Sequence, residues 1–323
     1  MNEADAVRLL RKELAFHHHP KSTEDQYVAA VRLYCRWLKV HGSLYVTREE
    51  RIKAYLSTFA ARDAAASTQN GALFAILYLY QKCMKVEVQE IDALRCRRPV
   101  RERYCPTRAE VAAVLKELQD VSGYPTRLMG LLIYGCGLRL ADSVGIRLRD
   151  VDLANSRLTI HGGKGDKDRV VPIPCCLAEP LKRQIAVARV VADQDRANGV
   201  PVFLPGLLAK KYPSYPFAAS WAWLFPLRTL TRHWRSGLVG RWHCLDQAVQ
   251  RAFRLATGRV DLRGVVTPHS LRHAFVTHAL DAGAAVHDVQ KVCGHSDPKT
   301  TMGYAHAEVA RVRSPLDSLA VAA

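Results

Sequence analysis

Arg157-Leu-Thr-Ile-His161, Gly162-Gly-Lys-Gly-Asp-Lys-Asp-Arg169 and Val170-Val-Pro-Ile-Pro174 run on as one stretch, and its reading decides the fold. The outer runs are short and rich in β-branched residues. The glycine-rich, charged segment between them predicts the tip of a small antiparallel hairpin. On both sides of it the apolar residues recur at helical spacing. The expected class is mainly α with a small antiparallel β-sheet.

On the N-terminal side a helix is expected from about Glu3 to Phe16. Ser22 and Asp25 have the spacing of a capping box, and Tyr27, Val31, Tyr34, Trp37 and Leu38 follow at helical spacing. Thr47 and Glu50 form a second box before Ile52, Tyr55, Leu56 and Phe59. A fourth segment starts at Ser67 and carries Leu73, Ile76, Leu77 and Tyr80. Nearer the hairpin, Thr107 and Glu110 cap a helix, and another is expected from about Tyr124 to Cys136. Beyond it helices resume near Ala178, Leu245, Pro268, Ala284 and Lys299. Between the two periodic regions lie Arg95, Arg97, Arg98, Arg101 and Arg103, with Pro99 among them. The expected organisation is a helical domain over 1–98, a basic linker over 99–106 and a mixed α+β domain over 107–323. The linker is either a solvated connector or a segment that crosses a phosphate backbone.

The charge favours the second reading. The 323 residues include 47 Lys plus Arg against 30 Asp plus Glu, a net charge of +17. A cationic surface of this size points to a polyanion, because phosphates release counterions when cations replace them. The hydrophobic fraction of 49% excludes general disorder. No apolar run has membrane-spanning length, and Met1 to Arg11 lacks an apolar signal region. Nine cysteines without a Cys-x-x-Cys pair read as reduced thiols of a cytosol, so a cytoplasmic location is expected. His17-His18-His19 has no partner at ligand spacing, so no metal is expected.

About 203–243 the composition changes. Trp221, Trp223, Trp234 and Trp242 lie here among Lys210, Lys211, Arg228, Arg232 and Arg235. Such a segment is either a satellite hydrophobic cluster or a surface on which bases stack beside cations.

Four patterns carry chemistry: Gly135-Cys-Gly-Leu-Arg139, Lys164 in the hairpin tip, His269-Ser-Leu-Arg272, and Gly294-His295 followed by Tyr304. Taken singly each has an ordinary structural explanation. Together they meet the needs of phosphoryl transfer without a metal or other cofactor. Two guanidiniums present forks to the oxygens of a pentacoordinate phosphorane. A tyrosine nucleophile stores the phosphodiester energy in a covalent intermediate. Histidine exchanges a proton near neutral pH, and a lysine can protonate the leaving oxygen.

In that order the residues resemble the tyrosine recombinases. The resemblance implies a two-domain architecture, a helical core-binding domain followed by a mixed catalytic domain. It implies that Tyr304 forms a 3′-phosphotyrosine, with Arg139, Arg272 and His295 on the phosphorane, Lys164 as general acid and His269 as base or proton shuttle. Leu204-Pro-Gly-Leu-Leu-Ala-Lys-Lys-Tyr-Pro213, Trp221-Ala-Trp-Leu-Phe225, Gln250-Arg-Ala-Phe253 and Val312-Arg-Ser-Pro-Leu-Asp317 resemble the integron integrases. These recombine folded single-stranded attC and duplex attI sites as a homotetramer on DNA, and their insert carries an added helix that recognises extrahelical bases. On that pattern Lys210, Lys211, Trp221, Trp223, Arg241 and His243 are expected DNA contacts, and Pro315 to Leu319 is the expected segment exchanged between protomers. The chain departs from the pattern at Asp142 (commonly Glu), His233-Trp234 (commonly Asp-Pro), Trp242 (commonly His), Cys293 (commonly Leu) and Gly303 (commonly bulky). The rival readings are a phage or Xer-type recombinase on duplex sites, a type IB topoisomerase and a catalytically impaired DNA-binding relic.

Overall fold

The computed structural model describes residues 2–17, 19–89, 104–162, 168–234 and 236–294. The chain divides into two compact units, Met1–Glu102 and Arg103–Ala323.

The first unit is helical. It runs through α1 (Glu3–Phe16), α2 (Lys21–His41), α3 (Arg48–Ala60) and α4 (Ala66–Leu77), whose end widens into a π-helical turn, Tyr78–Cys83. α1 buries Ala6, Leu10 and Leu14, four residues apart, against Val28 and Val31 of α2 and Ala75 of α4. Further along α2, Tyr34 packs with Ile52 and Leu56 of α3 and with Leu73 and Ile76 of α4. The long α2 thus carries one stripe through two clusters. Thr47 and Glu50 form the expected reciprocal cap of α3. The box expected at Ser22 does not form, because α2 starts earlier with Pro20 at its cap. Proline lacks an N–H, so it fits where the helix has no acceptor to offer. Asp25 lies inside the helix and accepts from Lys21 instead.

The second unit is built around a helix that is buried from Leu128 onward. α5 (Arg108–Glu117) begins at the Thr107–Glu110 capping box. α6 (Thr126–Cys136) is buried on every side from Leu128 to Cys136, which is the signature of a central helix. Val111 and Leu115 of α5 share its core with side chains of α7 (Leu140–Val144), α10 (Asp246–Thr257), α11 (Pro268–Asp281) and α12 (Val286–Cys293). The sheet has three antiparallel strands in the order β1 (Val151–Asp152), β2 (Arg157–Ile160) and β3 (Arg169–Pro172). Leu158 faces Val171 and Ile160 faces Arg169 across the ladder. Directly opposed residues share a face, so Arg169 points to the buried side, where Leu158, Ile160 and Val171 also lie. α8 (Ala178–Ala197) follows the sheet.

Between α8 and α10 the described residues form short elements, among them α9 (Leu208–Lys211), two 3-10 turns and the ribbon β4 (Thr231–Arg232) with β5 (Val239–Gly240). Among the described residues of 203–243 the only α-helix is the single turn of α9. The ribbon was not expected, since two-residue strands carry no readable alternation. The helix expected near Lys299 lies outside the described residues. Among the described residues no helix is long and apolar enough to cross a membrane.

Two glycines end the helices that meet at the site. Gly137 follows α6 at φ 63°, and a Cβ there would stand 2.6 Å from the Phe275 ring. Gly294 follows α12 at φ 62°. Both adopt the left-handed cap that glycine reaches without a steric penalty.

Candidate active site

Arg139 stands at the cap position of α7, two residues beyond Gly137. Its own N–H donates to Asp142 Oδ2 at 3.0 Å, and its Nη2 donates to the Gly294 carbonyl at 2.9 Å. Arg272, in the second turn of α11, is 4% exposed. It donates to the carbonyls of Gly137 and Cys293. Burial holds its guanidinium down at about 10, and the charges of Arg139 and Arg169 act in the same direction. At neutral pH it therefore remains a cation.

His269 lies one turn before Arg272 on α11, and its Nε2 is 3.1 Å from Nε2 of His273. One of the two rings donates in that contact and the other accepts. Arg139, His269 and Arg272 line one cavity of about 690 Å³ together with Asp246, Gln250 and Arg254 of α10. The structure thus brings together three of the six expected catalytic residues. Lys164, His295 and Tyr304 lie outside the described residues, as do Arg95, Arg97, Arg98, Arg101 and Arg103.

Cys293 is fully buried, and burial pushes its thiol up. It packs against the Gly137 turn, where an added Cβ would stand 3.2 Å from its sulfur. A small side chain fits that contact, which accounts for the residue found before Gly294.

Arg169 was not singled out by sequence. It donates to the Asp142 carboxylate and, through Nε at 2.9 Å, to the Val292 carbonyl. Its partners are far away in the chain, so no spacing rule exposes them. Arg139 Nη1 and Arg169 Nη1 are buried donors without a hydrogen-bond partner among the described residues. Such donors are costly unless satisfied. Arg139 lines the cavity of about 690 Å³, where a ligand can reach it, and Arg169 lines neither that cavity nor the one beside α7.

A second cavity, of about 790 Å³, opens beside α7. Ala141, Asp142 and His161 line it together with Phe203, Trp223, Trp234 and Trp242. The residues expected to contact DNA here separate into two groups. Lys210 and Lys211 are exposed on α9, and Trp221 is partly exposed, with the Arg149 guanidinium 4.3 Å from its ring centre. The others are engaged within the fold. Trp223 is 6% exposed and lies under Arg147, whose guanidinium carbon is 3.6 Å from the ring centre. Arg147 also donates to the carbonyls of Trp221 and Phe203 at 2.6 and 2.8 Å. Arg241 makes a fork to Asp195 of α8 at 2.8 and 2.6 Å, and Nη1 donates to the Leu227 and Arg228 carbonyls. His243 is partly buried with Nδ1 2.7 Å from the Cys244 carbonyl oxygen, and burial lowers its pKa. As placed, Trp223, Arg241 and His243 hold the segment together rather than face a nucleic acid. The edge of Trp223 still lines the aromatic cavity, beside Phe203, Trp234 and Trp242, which the sequence did not single out as contacts.

The Phage integrase family matches residues 106–311, and its N-terminal SAM-like domain matches residues 8–90. An integrase/recombinase of Escherichia coli is 35% identical over 318 residues, covering 96% of this chain and 92% of the relative. Tyrosine recombinase XerD of Ralstonia nicotianae is 28% identical over 304 residues, covering 91% of this chain and 86% of the relative. Among solved structures, the Tn1549 transposon integrase in complex with a circular intermediate DNA aligns with a TM-score of 0.61 at 16% identity, covering 94% of this chain and 95% of that one. XerH bound to difH substrate aligns with a TM-score of 0.59 at 16% identity, over 94% and 82% of the two chains. These structures support the mainly helical, two-domain fold with small antiparallel sheets.

Proposed function

Since the chain belongs to the phage integrase family and is a site-specific tyrosine recombinase, we propose that it recombines folded single-stranded attC sites with duplex attI-like sites, as an integron integrase. Tyr304 attacks the scissile phosphorus, and the P–O5′ bond breaks. The tyrosine proton passes to His269, and Lys164 protonates the departing 5′-oxygen. Arg139, Arg272 and His295 take the charge of the phosphorane, where fixed donors stabilise more than mobile water. The free 5′-hydroxyl of the partner strand then attacks the 3′-phosphotyrosine. Two such rounds pass through a Holliday junction in a tetramer on two sites, with Pro315 to Leu319 exchanged between protomers.

The observation that carries the integron reading is the aromatic cavity beside α7. Phe203, Trp234 and Trp242 line it, and Ala141 lines both this cavity and the arginine-lined one. A base extruded from a folded strand stacks on such rings, and each stacked base contributes about 1–3 kcal/mol. A duplex with all bases paired has nothing to place there. A second reading, recombination of duplex sites only, is favoured by the shortness of α9.

The test uses labelled folded hairpin and linear duplex, each nicked to trap the covalent intermediate. Wild type is expected to give an adduct that survives denaturation, and Tyr304→Phe none. Trp234→Ala is expected to weaken the folded substrate by about tenfold or more and to spare the duplex. Equal loss on both substrates favours the duplex reading, and an undiminished adduct from Tyr304→Phe refutes the nucleophile.

A further inference from the structure

Val292, Cys293 and Gly294 close α12, and three arginines from three different segments each take one of their carbonyls. Arg169 of β3 holds Val292, Arg272 of α11 holds Cys293, and Arg139 at the start of α7 holds Gly294. Carbonyls at the end of a helix have no partner within it and carry the negative end of the dipole. Cations are therefore suited to them. What is unusual is the crowding of three like charges around one turn, with one carboxylate, Asp142, paired to two of them.

Asp142 is placed to do two opposed things. Its Oδ2 caps α7 by accepting the Arg139 N–H. The same oxygen lies 3.9 Å from Arg139 Nη1. A carboxylate with a spare lone pair at that distance tends to draw the guanidinium into a fork, the preferred arginine–carboxylate geometry. Arg139 Nη1 would then be spent on the protein. Arg169 competes for that oxygen, since its Nη2 donates to Oδ2 as well. Its side chain is 7% exposed and reaches there because Arg169 opposes Ile160 on the buried face of the hairpin.

We propose that Arg169 is a positioning residue of this site. By occupying the Asp142 carboxylate it keeps Arg139 Nη1 available for a phosphate oxygen, and separately its bond to the Val292 carbonyl pins the last turn of α12. The inference rests on the phosphoryl-transfer reading above, but not on whether the DNA is folded or duplex. It gives Arg169 a role distinct from contact with substrate.

The experiment measures single-turnover cleavage and DNA dissociation constants on whichever nicked substrate the wild type cleaves. Arg169→Gln frees Asp142 to capture Arg139, and the cleavage rate is expected to fall by about 10- to 100-fold, the effect of a small misplacement of a reacting group. DNA affinity is expected to stay within about twofold, because no cation facing DNA is removed. Asp142→Asn added to Arg169→Gln removes the competing charge and keeps an amide oxygen for the cap. The double variant is expected to recover at least about half of the loss on a logarithmic scale. A purely structural arginine would show no such rescue, so a double variant no faster than the single one overturns the proposal. Parallel weakening of affinity overturns it as well. Should the glutamine variant not fold, Arg169→Lys decides: it keeps a cation against Asp142 and gives up the Val292 bond. A rate within about threefold of wild type supports the proposal, and a tenfold fall at unchanged affinity refutes it. If the wild type cleaves neither DNA, the phosphoryl-transfer reading has failed separately. Hydrogen exchange in the 287–294 peptide then reads the pinning alone: about tenfold faster exchange at the Gly294 amide in Arg169→Gln supports it, and no change refutes it.

Discussion

Removing Asp195 should unfold the second unit as readily as removing Arg241, and this separates a structural arginine from one that meets DNA. The pair is 9% and 12% exposed at its side chains. Arg241 donates twice to Asp195 and once each to the carbonyls of Leu227 and Arg228. In Asp195→Ala the guanidinium keeps only its carbonyl partners and is left as a buried, uncompensated cation. In Arg241→Ala the carboxylate is stranded instead, and the Leu227 carbonyl loses its donor. Breaking a buried pair from one side costs about 3–5 kcal/mol. Replacing both partners, Asp195→Leu with Arg241→Met, restores an apolar contact and should recover most of that. Urea denaturation followed by tryptophan fluorescence reads mainly this unit, since four of the five tryptophans, Trp221, Trp223, Trp234 and Trp242, belong to it, and Trp37→Phe removes the signal of the other. DNA binding supplies the contrast. A phosphate-contacting arginine would lower the salt slope of log K by about one when removed, with stability nearly unchanged. If Arg241→Ala costs under about 1 kcal/mol and lowers the slope in that way, the assignment of Arg241 to the fold is wrong.

Three further outcomes follow from particular contacts. Gly137→Ala puts a methyl group against Phe275 in a left-handed turn, so it should destabilise by about 2–4 kcal/mol from backbone strain and overpacking together, read by urea denaturation. Thr107→Ala removes the cap of α5 and should cost about 1 kcal/mol, with no change in DNA affinity. His278 accepts or donates through Nδ1 to the buried Tyr134 hydroxyl at 2.9 Å, and burial, aided by the Arg108 charge, lowers its pKa. The unfolded chain therefore binds the proton more readily. Stability supplied by the neutral ring is fully present above about pH 6.5. It declines as the pH falls below that value, and His278→Gln should flatten this part of the stability profile.

How far the sequence could be read depended on how local each interaction is. The Thr47–Glu50 and Thr107–Glu110 boxes close within four residues, and both were legible. The Ser22 box has the same spacing and fails, because Pro20 moves the start of α2 and no pattern of three residues records that. The hairpin was legible from its two β-branched runs. Its most consequential residue was not, because Arg169 is defined by Asp142, 27 positions earlier, and by Val292, 123 positions later. The insert shows the same limit in composition. Four tryptophans and their basic neighbours can equally be core or surface, and the structure divides them by burial, with Trp223 closed beneath Arg147 and Trp234 left 41% exposed. Motif spacing singled out Arg139, His269 and Arg272 because their identities suit phosphate chemistry, and the structure places the three around one cavity. It could not identify the groups that hold them, since a positioning residue is selected by geometry across the fold and not by its own reactivity. Single substitutions at Arg139 or Arg272 consequently say little about Asp142 and Arg169, whose contribution becomes visible only when carboxylate and cation are altered together.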